Sequence, residues 1–272
     1  MKSNLDVGKC RAAAEELFGH ALASFRELHG GKTSRNFVAA DGDRQWFVKV
    51  GLPKRVERTL SRHQAVRSPL VPRIALDGRT AVCGDCVVCA EEWLPDLTHV
   101  DPAELTPAQA EDLVRAYRDF SAAAQAVRDA KDDGRYRAFD AGLAPSVIHG
   151  DLNFRNVGFS EGRVRAILDL ESMRLGYPTE DLLGFVVHEM ERTRLWFHRR
   201  LRRLEQGLAA VVRASGYSRR AWLAAIDTYE ADKRSRRAGK SRFTLFKALE
   251  HRLRAPLYRQ IRRIIEREAR PC

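Results

Sequence analysis

No stretch of the chain approaches the roughly 18 consecutive apolar residues that a membrane-spanning helix needs. The longest candidates, such as Leu182 to Val187, are only core-sized. The opening residues, MKSNLDVGKCRAAAEELF, are charged and helix-like and contain no apolar segment of a secretory signal. Cysteine is scarce. Five in 272 residues, an odd number without a secretory signal, argue against a disulfide scaffold and for a reduced, cytoplasmic setting. Internal repeats and low-complexity segments are absent as well. What remains, with 44% hydrophobic residues, suffices for one large domain or two lobes of ordinary size.

Acidic residues are thin in one region above all. Residues 182–272 carry 23 Lys and Arg against 9 Asp and Glu, whereas residues 1–181 carry 25 against 27. The net charge of +12 therefore originates in the last third of the chain, where internal salt bridges cannot neutralise it. Such a field attracts anions: phosphorylated substrates, nucleic acid or an acidic membrane surface. An Arg-rich solvated helical face with no ligand has the same signature.

The hydrophobic patterning changes along the chain. Residues 8–18 read as a short amphipathic helix. Ser24–Leu28, Asn36–Ala40 and Gln45–Val50 are short β-like runs, broken by Gly30-Gly31 and by the hairpin signal Asp41-Gly42-Asp43. Glu57 to Val66 reads as a helix. Strands are expected at Arg73–Leu76, Thr80–Cys83 and Cys86–Trp93. After Pro95, Thr106-Pro107-Ala108-Gln109 is a capping box with Pro at the first helical position, opening a helix that carries Leu113, Tyr117, Phe120, Ala124 and Val127. A strand is expected at Val164–Leu170, and nearly continuous helix from Thr179. The pattern divides the chain into an antiparallel β lobe with one inserted helix, residues 1–94, and a larger helical lobe, residues 95–272.

The octapeptide HGDLNFRN, residues 149–156, concentrates polar groups just before an apolar strand. It offers Asp151 and, five residues later, Asn156; thirteen residues beyond that is Asp169. A carboxylate and an amide oxygen from neighbouring strands or loops suit Mg²⁺, which takes few protein oxygens and leaves positions for phosphate and water. A further carboxylate, Asp151, near the metal but off it, suits a hydroxyl nucleophile. Phosphoryl transfer needs this set of parts. Lys49 lies in an apolar strand, where an ammonium is costly unless paired or reaching a ligand. Glu57 is the only acidic residue between Lys49 and Asp77 and is its expected partner. Gly30 to Asn36 resembles a phosphate-covering loop, although hairpin turns look similar. Asp and Asn are also common turn formers, but their joint spacing with Lys49 is not a property of turns.

These residues, with the run Val87 to Leu94, His149-Gly150-Asp151 and Pro178 to Leu182, resemble the aminoglycoside phosphotransferase/choline kinase family. The likeness runs from about residue 25 to about residue 185. It implies an α+β, protein-kinase-like two-lobed fold and an ATP-dependent phosphotransferase. In that resemblance Asp151 is the catalytic base, Asn156 and Asp169 hold Mg²⁺, and Lys49 grips the α- and β-phosphates, positioned by Glu57. Backbone groups around Glu91 and Trp93 bind the adenine edge, and Ser34, Arg35 and Asn36 lie over the phosphates. His149 and Asp181 brace the catalytic loop, and Glu171 adds a water-mediated metal contact.

Two departures carry information. Gly150 stands where protein kinases have the Arg that meets a phosphorylated activation loop, and Asp181 follows Asp169 by only twelve positions. Both argue against a protein kinase and against that mode of switching. Arg155 stands where tyrosine kinases carry an Arg that assists transfer, and it is a second catalytic candidate, able to neutralise charge on the transferred group. Cys83, Cys86 and Cys89 suggest a zinc site but are one ligand short, and residues 86 and 89 of a strand face opposite ways. The basic last third favours an anionic acceptor, such as a sugar on a phosphorylated cell-envelope glycan or lipid, with peripheral contact to an acidic membrane. An aminoglycoside-type acceptor is the alternative, and Asp101, Glu171, Glu180, Glu189 and Glu191 are its candidate acidic lining. A nucleotide-binding pseudokinase, or a basic membrane- or nucleic-acid-binding module, is the other class. Its Arg-rich runs, at Lys233–Arg237 and Arg259–Arg263, lack the interleaved aromatics of a nucleic-acid reader.

Overall fold

The computed structural model describes residues 6–28, 34–193, 198–238 and 244–271, with side chains omitted at 236–238 and 244–254. The chain forms two compact units. One is residues 1–96 with 168–171, and the other residues 97–167 with 172–272.

The first unit is an antiparallel sheet of β1 (Ser24–Leu28), β2 (Arg35–Asp41), β3 (Arg44–Gly51), β4 (Ala81–Cys83) and β5 (Cys86–Glu92), ordered β1-β2-β3-β5-β4. The β2–β3 hairpin turns at Gly42, whose φ of +57° suits a two-residue connection. Helix α1 (Val7–Phe18) covers one face, where Cys10, Ala14 and Leu17 pack with Phe37, Val48, Cys83, Cys86 and Val88. Helix α2 (Pro53–Ala65) puts Val56 and Leu60 against Cys89 on the other. Cys86 and Cys89 thus face opposite sides, as strand alternation requires. Burial pushes the thiols of Cys10 and Cys89 up to about 12, so both stay protonated and inert at neutral pH.

Two strand expectations change. Arg73–Leu76 forms only a single bridge, Ile74 to Glu91, because the chain turns at once through Leu76 and Asp77, with φ of +52° and +54°. The strand expected to reach Leu170 ends at Ile167. Asp169 has φ +59°, a left-handed conformation that cannot continue a strand.

In the second unit, helix α3 (Pro107–Ala124) starts from the expected capping box. Thr106 Oγ1 accepts from the Gln109 N–H at 3.2 Å, and Gln109 Oε1 accepts from the Thr106 N–H at 3.0 Å. Thr106→Ala should cost about 1 kcal/mol, read as a lower denaturant midpoint with unchanged slope. Two short antiparallel pairs follow: β6 (Ser146–Ile148) with β9 (Arg174–Gly176), and between them the hairpin of β7 (Val157–Ser160) and β8 (Arg163–Ile167). Helices α4 (Pro178–Arg192), α5 (His198–Ser215), α6 (Arg219–Ala238) and α7 (Thr244–Glu268) complete the unit. Among the described residues no helix is long and apolar enough to cross a membrane.

Three of these helices meet at Glu191 of α4. Its carboxylate accepts from Tyr229 Oη at 2.9 Å and Lys233 Nζ at 2.8 Å on α6, and from Tyr258 Oη on α7. Burial alone would raise its pKa. The bonds from Lys233, Tyr258 and Tyr229 outweigh burial and hold it below the usual carboxylate range. Glu191→Gln leaves Lys233 without its counter-charge and should cost about 3 kcal/mol at neutral pH. Because the folded pKa is depressed, this contribution is present above the unfolded value of about 4.3 and fades as pH falls through the folded one. Wild-type and variant stabilities should converge in acid; a constant gap down to the acid transition would contradict the assignment.

Candidate active site

The octapeptide begins where β6 ends. Asp181, in the first turn of α4, accepts hydrogen bonds from the backbone N–H groups of His149 at 2.6 Å and Gly150 at 2.9 Å, and from Tyr117 Oη at 2.7 Å. Burial first, then Asp181, raise the Tyr117 pKa well above its usual value, so the phenol remains a donor. Gly150 has φ +80°, and a Cβ on it would lie 2.2 Å from the Ser172 carbonyl oxygen. No side chain fits there, which gives a steric reason for the missing arginine. His149 is fully buried beside the Phe120 ring, and its Nδ1 accepts from the Asp151 N–H at 3.3 Å.

Asp151 itself is exposed. Its carbonyl oxygen accepts from Asn153 Nδ2 at 3.0 Å and Asn156 Nδ2 at 2.9 Å. With its amide nitrogen spent in this way, Asn156 presents Oδ1, a suitable oxygen for a hard cation. The β7–β8 register pairs Val157 with Ile167, so Asn156 and the chain leading to Asp169 leave the same end of the hairpin. Among the described residues no three His, Cys, Asp or Glu side chains gather as a self-sufficient metal site. Arg155 is exposed, with its guanidinium 5.5 Å from the centre of the Phe154 ring.

A cavity of about 150 Å³ opens beside Asp151, lined also by Asn153, His188, Tyr229, Asp232 and Lys233. Its cations are internally matched. Arg135 pairs with Asp232 at 2.7 Å and with Asp133, Arg174 with Glu180 at 2.6 Å, and Lys233 with Glu191. On α4, Asp181, Gly184 and His188 fall on one face, and Gly184 passes close to the Leu152 carbonyl. Burial first, then Lys233, hold the His188 pKa below its usual value although Asp151 opposes them. The imidazole is therefore neutral at neutral pH. His188 had no signal of its own in the sequence except its helical spacing from Asp181.

In the first unit Lys49 is buried. Its Nζ lies 3.5 Å from Asp169 and 3.8 Å from Glu171. Burial works against the ammonium, but Asp169, Glu91 and Glu171 together hold its pKa above the usual value. Glu57 is not among these partners. At 100° per residue the buried stripe of α2 runs through Val56, Thr59, Leu60 and His63, which leaves Glu57 exposed to solvent. Glu171 stands in its place, from far downstream.

The remaining nucleotide-binding candidates divide by strand alternation. Asn36 is the register partner of Lys49 and shares its face, and Ser34 Oγ donates to Asn36 Oδ1 at 3.2 Å. Arg35 takes the opposite face, bound to Glu27 at 2.6 and 2.8 Å, and is not a phosphate ligand in this arrangement. The expected loop residues Gly30 to Thr33 lie outside the described residues. Glu91 sits inside the sheet, opposite Phe47 and bridged to Ile74, while the Glu92 N–H donates to the Arg73 carbonyl. The Glu91 carboxylate is buried, with His63 Nε2 at 4.0 Å. Trp93 follows the strand and borders an open pocket of about 720 Å³ with Trp46 and Arg73.

Residues 136–223 match the model of the family described as phosphotransferase enzymes. No curated protein matches the chain by sequence. Among solved structures, aminoglycoside phosphotransferase APH(4)-Ia is 12% identical with a TM-score of 0.53, over 96% of this chain and 99% of that one. The streptomycin–ATP complex of APH(2")-IIa is 12% identical at 0.55, over 93% and 97%. Macrolide 2'-phosphotransferase MphH from Brachybacterium faecium is 18% identical at 0.52, over 84% and 89%. At these identities the structures show the fold, an α+β arrangement of the protein-kinase-like kind. The family match, over about a third of the chain, and the shared fold both agree with the phosphotransferase resemblance read in the sequence.

Proposed function

We propose that the chain transfers the γ-phosphate of ATP to a hydroxyl of a small, neutral, polyhydroxylated acceptor such as a sugar. The observation that carries this reading is the clamp on the catalytic loop. Asp181 fixes the amides of His149 and Gly150, the two Asn side chains fix the Asp151 carbonyl, and the Asp151 carboxylate is left exposed at a polar cavity. A hydroxyl bound in that cavity gives its proton to Asp151 as its oxygen bonds to the γ-phosphorus. The bond to the bridging oxygen breaks, and ADP leaves with that electron pair. Lys49 holds the nucleotide phosphates, with Asp169 and Glu171 keeping it charged. Mg²⁺, held by Asn156 and Asp169, would neutralise the phosphate charge. Arg155 lies on the loop as a further cation for the transferred group.

The acceptor class is read from the cavity rather than from the surplus charge of the last third. An anionic acceptor needs an uncompensated cation, and each of Arg135, Arg174 and Lys233 has a carboxylate partner. A polycation needs spare carboxylates, whereas Glu180 and Asp181 are occupied by Arg174 and the loop amides. Neutral His188 is suited to hydroxyls as donor or acceptor. Incubation with labelled ATP and a panel of neutral, anionic and cationic sugars tests this. Label should enter the neutral members; preference for anionic or cationic ones would overturn the acceptor class.

A further inference from the structure

The segment that carries Asp169 is held by helix α2. Arg62 is 2% exposed, and its Nη1 donates to the carbonyl oxygens of Leu170, at 2.8 Å, and Glu171. Those carbonyls lie one and two residues after Asp169. Arg55, two turns earlier on α2, reaches the Glu171 carboxylate at 3.1 Å, and Lys49 approaches the same carboxylate. Burying a guanidinium is costly, and a Met or Leu would fill the space more cheaply. The expense is matched by an unusual backbone: Asp169 at φ +59°, followed by a single 3₁₀ turn, Leu170–Ser172. A non-glycine residue persists in the left-handed region only where its surroundings over-determine it. Arg62 supplies two of the bonds that do so.

We propose that Arg62 is a positioning residue for Asp169, and that α2 orients the metal-binding segment through Arg62 and Arg55 rather than orienting Lys49 through Glu57. The proposal rests on Asp169 being a metal ligand. Lys49 then depends on α2 only indirectly, through the Glu171 carboxylate that Arg55 also binds. Glu57→Gln should accordingly leave turnover unchanged, since the side chain is exposed.

The test uses Arg62→Met, Arg62→Lys and Asp169→Asn in the full chain, read by Mn²⁺ binding with ADP in paramagnetic resonance and by amide exchange over residues 168–172. Arg62→Met should weaken Mn²⁺ binding about tenfold or more, in line with partners that support metal ligands. Exchange at 168–172 should accelerate, with metal-free ADP binding unchanged. Arg62→Lys, which keeps a buried donor, should recover part of both and covers the case in which the Met variant fails to fold. Lower thermal stability with wild-type Mn²⁺ affinity and wild-type exchange would overturn the proposal and leave Arg62 a core residue only. Wild-type Mn²⁺ affinity in Asp169→Asn would instead remove the metal assignment, while the exchange data still judge Arg62.

Discussion

Asp151→Asn should lower turnover about a thousand-fold while leaving ATP affinity unchanged, the loss expected for a general base within the range of 10²–10⁴. The amide keeps the size of the side chain. The loop around it is held through backbone groups by Asp181, Asn153 and Asn156. What the variant loses is the capacity to take the hydroxyl proton. A coupled ADP-release assay and calorimetric titration with ATP measure the two quantities separately. Full turnover in the variant would remove Asp151 from the chemistry. Unaltered biological activity despite lost turnover would favour a nucleotide-binding module over an enzyme.

Asp181→Asn should have the largest effect on both stability and activity among residues outside the reacting groups. The wild-type carboxylate accepts from three donors, two of them backbone amides that cannot turn away. An amide side chain offers one acceptor oxygen and turns an N–H₂ toward a donor, so at least one buried group goes unsatisfied. The cost should be about 3 kcal/mol, seen in the urea midpoint. Turnover should fall about a hundredfold because the backbone that presents Asp151 is released. Tyr117→Phe removes a single donor and should cost about half as much. Equal losses in both variants would mean that the phenol, not the amides, carries the clamp.

The loop at residues 149–156 was legible in the sequence because its parts are local. Asp151 and Asn156 share one turn, and a short hairpin fixes how far Asp169 lies beyond them. The capping box at Thr106 and the turn at Gly42 were legible for the same reason, since each depends on two or three adjacent residues. The partner of Lys49 was not. Glu57 is the only nearby carboxylate in the chain, but a helix exposes some positions and buries others, and nothing in the spacing showed that 57 falls outside the buried stripe. Glu171 meets Lys49, and Arg62 meets the Leu170 and Glu171 carbonyls, because Leu168–Glu171 belongs to the first unit, a long-range arrangement with no local signature. Arg35 had a face that strand alternation fixes once the register is known. Regional charge is a different kind of signal: a surplus summed over residues 182–272 does not describe the cavity beside Asp151, where Arg135, Arg174 and Lys233 each have a carboxylate partner.

Label transfer from γ-labelled ATP into the small-molecule fraction of a cell extract tests the central claim most directly, with wild-type protein and Asp151→Asn run side by side. The prediction is a Mg²⁺-dependent labelled product, sensitive to an alkaline phosphatase, that appears with the wild type and not with the variant. Label found only as inorganic phosphate or on protein, or equal labelling by the variant, would contradict it.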